Sequence, residues 1–322
     1  MCRFNSNRWF LFVLILFLWI ILCCTNDADA DKKWHVVKKG NGFGISGIAL
    51  FDQNGGKIGL LAVHDNKMPG QVRAAIVTIV NETTLEYTPL EWPDSSRLPV
   101  DFESVTALPD GYEPSFMALT SKGEIFHFKI TGLSISVLKV FSLPNSGRRQ
   151  NFEGLSIHRV ENRLLAVWAH GGENNNPAVI YWGWFTPLNY NLSVLGSAEL
   201  KIPWPTQPDV RHISDIKITP QGVAIITAAS DPGDTGPFQS AAYFAGRFST
   251  NGNSVEFKPA DKMIPFRSFK HHKVEALELA GDANGIVFAT DDENFGSSIT
   301  FPKTTNSLPK GEQIVERLNR QR

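Results

Sequence analysis

The sequence predicts an all-β fold, a β-propeller of five four-stranded blades closed by an N-terminal strand, and three observations carry the prediction. Between Lys32 and Pro302 the apolar runs are short, β-branched or aromatic, and punctuated by Gly, Pro, Asn and Asp, without helical periodicity. A signature recurs five times: "GISGIAL" at Ser46, "DFESVTAL" at Glu103, "NFEGLSI" at Glu153, "HISDIKI" at Ser214 and "KVEALEL" at Glu275. Each is followed by an apolar run ending in polar residues, such as "GLLAVHDNK" or "GIVFATDDEN". The spacings of 57, 50, 61 and 61 residues define a repeat, and four antiparallel strands repeated around an axis make propeller blades.

The elements follow in order. "KWHVVKK", Lys33 to Lys39, reads as a strand that precedes the first unit and has no partner of its own. The first unit reads as four strands, Ile45 to Phe51, Lys57 to His64, Arg73 to Val80 and Leu85 to Glu91. The fifth unit supplies three, Glu275 to Ala280, Gly285 to Thr290 and Ser297 to Phe301, so its missing fourth is assigned to the N-terminal strand, which removes the last open edge. A six-blade ring follows instead if the interval Asn253 to Lys273 hides a degenerate blade.

Outside the repeats, Arg3 and Arg8 precede the apolar run "WFLFVLILFLWIILCC", and Ala28 and Ala30 stand in an A-x-A arrangement before Asp31. That is the layout of a signal peptide, or of a retained anchor, over residues 1–30, ahead of a propeller domain at 31–302 and a polar, basic tail at 303–322. A secreted or periplasmic monomer is expected, touching a membrane only through the N-terminal segment. All three cysteines lie in this leader, so disulfides and thiolate chemistry are excluded from the exported domain. With 42% hydrophobic and 20% charged residues the chain is globular, and a formal net charge of −1 gives no electrostatic case for nucleic acid. Two sequons stand at Asn81 and Asn191.

In a blade, the start of the innermost strand and the end of the second share a face. Ser46, Glu103, Glu153, Ser214 with Asp215, and Glu275 are therefore expected to ring the central mouth. The loops beside them carry His64, Asp65 and Lys67; His170; Asp231 and Asp234; and Asp291 and Asp292. Carboxylates gathered so closely repel unless protonated or bridged by a cation. Oxygen ligands without Cys point to Ca²⁺ rather than Zn²⁺, with Glu103, Glu153, Glu275, Asp215, Asp65, Asp291 and Asp292 as its ligands. Lys67, Arg73 and His64 are candidates to bind a small anionic or phosphorylated ligand, and His271 and His272 lie at the rim. No Gly-x-Ser-x-Gly elbow occurs.

Taken together, "AVHDNK", "DFESVTALP", "NFEGLSI", "ASDPGDTGPF" and "VEALEL" with "TDDENFGSSI" resemble the esterase-like phytase family of exported propellers, over nearly the whole of Gly44 to Ile299. The resemblance implies a metal held in an acidic mouth and hydrolysis of phosphate esters. Ca²⁺ on Glu103, Glu153, Glu275 and Asp291 would then orient a water, with Asp231 or Asp234 as base and Lys67 or His170 on the ester. The rival expectations are a non-catalytic binding or scaffold propeller stiffened by the metal, and a carbohydrate or lactone hydrolase on the same platform.

Overall fold

The computed structural model describes residues 34–54, 57–144, 151–206, 209–280 and 285–301. The expected leader and the tail at 303–322 lie outside the described residues. Strand β1 (His35–Lys38) comes first in the chain but belongs to the last sheet. The first blade is β2 (Gly47–Asn54), β3 (Lys57–Val63), β4 (Ala74–Asn81) and β5 (Thr84–Pro89). The second is β6 (Phe102–Ala107), β7 (Phe116–Thr120), β8 (Glu124–Thr131) and β9 (Ser134–Ser142). The third is β10 (Phe152–Val160), β11 (Arg163–His170), β12 (Ala178–Thr186) and β13 (Asn191–Leu200).

The fourth blade answers the question of a sixth. After β14 (Val210–Ile218) and β15 (Val223–Ser230), the long β16 (Gln239–Asn251) pairs along one half with β17 (Ser254–Pro259) and along the other with β18 (Pro265–Lys270). The interval from Asn253 to Lys273 is thus one outer strand broken in two, and the ring has five blades. The fifth blade runs β19 (Val274–Ala280), β20 (Gly285–Thr290), β21 (Ser297–Thr300) and then β1, with His35 opposite Ile299. The N-terminal strand closes the ring as the sequence predicts.

Strand position within a blade explains the hydropathy pattern. The second strands are buried on both faces, so "LLAV", "FMALT" and "AIITAAS" read as continuous apolar runs. The outer β9 and β13 alternate or face water. Apolar clusters fill the seams between blades: Ile48 and Leu60 with Ala276 and Val287, Leu61 and Val63 with Phe102 and Phe126, Leu119 with Leu155 and Trp168, Val167 with Ile216 and Tyr243. At the seam of blades four and five, Phe269 meets Phe288 edge-on at 5.1 Å beneath the Arg267 guanidinium.

The innermost strands β2, β6, β10, β14 and β19 pack against one another in a closed cycle around the axis. Each has one edge with no strand partner among the described residues, and on β2, β10, β14 and β19 side chains of the preceding blade cap N–H groups there. Leu155 N–H donates to Ser104 Oγ (3.1 Å), Ile157 N–H to Thr106 Oγ1 (3.3 Å), Ile218 N–H to Ser156 Oγ (3.3 Å) and Leu277 N–H to Asp215 Oδ2 (3.0 Å). Glu278 accepts from the backbone of Leu50 and Leu279. This girdle leaves little room: a Cβ on Gly154 would stand 2.7 Å from Ile216 Cγ2.

Candidate functional site

The carboxylate that opens each inner strand sits at a β-bulge. In β6 Phe102 pairs with Thr120 and Ser104 with Leu119, which leaves Glu103 as the extra residue. Glu153 is skipped in the same way between Phe152 and Gly154, and Glu275 between Val274 and Ala276. In β14 the irregularity widens to span Arg211 to Asp215 and includes Ser214. A bulge turns its extra side chain off the pleat, so one backbone device, repeated in three blades, supplies the glutamates of the mouth. All three are buried, and the equivalent Ser46 and Ser214 hydroxyls are buried without a hydrogen-bond partner.

Two cations that the repeat does not announce organise these acids. Arg211 places Nη1 3.0 Å from Glu275 Oε1 and 3.6 Å from Glu153 Oε1, and Nη2 3.2 Å from Asp231 Oδ2. Lys273 stands 3.2 Å from Glu275 and 3.2 Å from Asp231, and also bonds Glu293. Asn151 donates to Glu153. On the blade-one side, Lys67 pairs with Asp101 at 2.9 Å while remaining exposed.

Carboxylates outnumber cations here, and their proton affinities separate accordingly. Burial lifts Glu153 to about 7, with Arg211 opposing and Glu275 adding to the rise. Glu103 is lifted well above the usual carboxylate range by burial and then by the Glu153 charge. Burial also raises Asp291 strongly, with Glu275 contributing, and raises Asp65 and Glu275. Asp231 moves the other way: burial would raise it, but Lys273 and Arg211 together hold it below its ordinary value.

Several expected roles are corrected by placement. His64 is fully buried, bonded through Nδ1 to Gly44 O (2.5 Å) and through Nε2 to Tyr87 (3.0 Å), and burial lowers it to about 4. It is a neutral strut and does not reach a ligand. Arg73 is 2% exposed and spends its guanidinium on the carbonyls of Pro99, Gln71 and Met68, pinning the loop that carries Lys67. Asp215 lies one residue past the ring, in the axial girdle, and belongs with Ser104, Leu277 and Lys217. Asp292 braces the rim through Lys273 N–H, Thr290 Oγ1 and His272.

The remaining residues stay near the mouth. Asp65 and Asp291 share its electrostatics with Lys273, and Asp291 Oδ1 accepts from Glu293 N–H. His170 pairs with Phe152 across the bulge and accepts from Gly172 N–H at 3.1 Å. Asp234 is exposed in the loop after Asp231. Among the described residues no three acidic or histidine side chains gather as a metal-ligand set, and Glu153 and Glu275 are turned onto Arg211. As arranged, the carboxylates do not form a calcium cage.

No protein-family model matches the chain, and no curated protein does. Solved structures with a similar fold include a fructofuranosidase from Schwanniomyces occidentalis complexed with fructosylnystose, at 11% identity and a TM-score of 0.50 over 83% of this chain and 57% of that one. A thermostable family-43 glycoside hydrolase matches at 10% identity and a TM-score of 0.48, over 84% of this chain and 96% of that one. A glutaminyl cyclase from Myxococcus xanthus matches at 10% identity and a TM-score of 0.38, over 84% and 97%. At such identities the likeness concerns the fold alone.

Proposed function

We propose that the protein is a hydrolase that uses two carboxyl groups of the mouth, Glu103 as proton donor and Glu153 as base, on an uncharged, hydroxyl-rich substrate of the glycoside class. The observation that carries this reading is the neighbouring pair itself. Of two buried glutamates on adjacent inner strands, Glu153 has Arg211 3.6 Å away to steady its anion, while Glu103 is pushed up by burial and then by the Glu153 charge. Such a split assigns acid and base. Glu103 gives its proton to the departing oxygen while Glu153 takes one from the attacking water, and exchange with solvent restores both. Asp231, held ionised by Lys273 and Arg211, is a weaker base than Glu153 and serves to keep those cations in place. A fructofuranosidase uses a similar fold, an analogy of scaffold and not of site.

A phosphate ester is the less favoured substrate, since the surplus of carboxylates repels it. The assay that decides sets neutral aryl glycosides and carboxylic esters beside phosphate esters, each with chelator and with Ca²⁺, for wild type and for Glu103→Gln and Glu153→Gln. The expected result is chelator-resistant turnover of a neutral substrate that falls by about 10²-fold or more in both variants. Its rate should climb as pH passes about 7, where Glu153 loses its proton, and fall once Glu103 does. Turnover confined to phosphate esters with Ca²⁺ supports the phytase-like reading instead. Ca²⁺-dependent stability with no turnover supports a binding propeller.

A further inference from the structure

At the end of the inner strands opposite the mouth lies a cavity of about 580 Å³ that takes no part in the proposed hydrolysis. Its size falls in the range of small-molecule sites. All five inner strands reach it, and the loop between β6 and β7 forms one side.

The lining carries an excess of acid. Asp52, Asp110 and Glu278 stand on it with a single ammonium, that of Lys217. That ammonium is already answered at the floor: its side chain is 4% exposed, it donates to Val105 O at 2.8 Å, and Asp215 Oδ2 is 3.5 Å away. Arg159, beside the loop, donates to the Asp110 carbonyl and lies over the Tyr112 ring at 5.4 Å. Counting it, four carboxyl groups face two cations, and Asp52 stands exposed at the rim. Protonation of Glu278, whose carboxyl burial raises, still leaves the acid in excess. Burial lowers His158, so its imidazole adds no charge at neutral pH. A cleft lined by one sign of charge gathers ions of the other.

The walls narrow the kind of cation. A bulge in β2, where Leu50 pairs with Leu60 and Asp52 with Gly59, turns Phe51 out of the pleat. Its ring stacks on Phe116 at 6.0 Å yet stays 39% exposed. Tyr112, also on the lining, is 36% exposed, and Arg159 already uses its face. Among the described residues no cation of the chain covers Phe51 or Phe116. Aromatic faces attract an organic cation through the ring quadrupole, and they offer none of the oxygen ligands that a hard metal ion needs.

We propose that this cavity binds a small organic ammonium ion with an apolar body, its charge answered by Asp52 and its alkyl or aryl groups against Phe51 and Phe116. Calorimetric titration with choline tests it beside 3,3-dimethylbutan-1-ol, which keeps the shape and puts carbon in place of the charged nitrogen. Phenethylamine is set in the same way beside 3-phenylpropionate, whose charge is reversed. At least one of the two cations should bind, about 10-fold or more tightly than its counterpart, as expected for a cation on desolvated aromatic faces. Asp52→Asn and Phe51→Ala, both at exposed positions where folding is not at stake, should each weaken it several-fold. Glu103→Gln, in the mouth, should leave it unchanged. The proposal is overturned if neither cation binds, if the counterparts bind as well, if Asp52→Asn or Phe51→Ala leaves affinity unchanged, or if Glu103→Gln abolishes binding.

Discussion

Glu153 in the mouth and Asp215 in the girdle are both buried carboxylates at bulged starts of inner strands, yet they are held in opposite ways. Asp215 accepts from the N–H groups of Leu277 and Ile216, fixed by the sheet, and from Ser104, and burial lifts it to about 6 against the lowering pull of Lys217 and then of these donors. Glu153 leans on the flexible side chains Arg211 and Asn151, and reaches about 7. Burial therefore does not mark a working acid. Both face a side-chain cation, Lys217 and Arg211 respectively, but the carboxylate that also accepts from a backbone N–H of the next blade holds blades together, while the one held by side chains alone can gain and lose its proton without disturbing the sheet.

The widest gap between the two regions should appear on deletion. Asp215→Ala leaves Leu277 N–H, Ser104 and Lys217 without their buried partner, and urea unfolding should record a loss of about 3–5 kcal/mol. A loss below about 1 kcal/mol would erase the distinction. Next, Arg211→Met should lift the Glu153 titration above about 7 and cut turnover at neutral pH by about 10²-fold, read from carboxyl NMR shifts and rates. An unmoved Glu153 midpoint removes Arg211 from the argument.

A smaller effect concerns pH. Because Glu153 binds its proton more tightly folded than unfolded, its contribution is fully present below the unfolded value near 4.5 and is lost as pH rises to about 7. That amounts to about 1–3 kcal/mol, and Glu153→Gln should flatten that part of the curve of stability against pH. The smallest change is Thr106→Val, which removes one cap from Ile157 N–H and should cost about 1 kcal/mol with activity intact.

The ring of glutamates was legible because a strict repeat places Glu103, Glu153 and Glu275 in one register. The closure by β1 was legible because the fifth unit lacked a strand. Arg211 and Lys273 were not, since they lie upstream of the register. A signal was present nonetheless: two residues before each signature position stand Gly44, Asp101, Asn151, His212 and Lys273, and in a strand such residues share a face with the ring. Arg211 escapes even this pattern because its strand carries the wide bulge. His64 and Arg73 were misread because loop polarity says nothing about which way a side chain turns, and both turn inward.

The pairing of His35 with Ile299 also sets an order of events. Strand β1 leaves the ribosome ahead of the other described strands, while its partner β21 follows roughly 260 residues later, a delay on the order of tens of seconds at ordinary synthesis rates. Throughout that interval four blades can assemble in succession, each from local hairpins, while β1 waits with its hydrogen-bonding groups open. On that order the contact most distant in sequence is made last, and such non-local pairing is intrinsically slow. An assisting chaperone, or a neighbouring nascent chain with the wrong strand to offer, has its opportunity there.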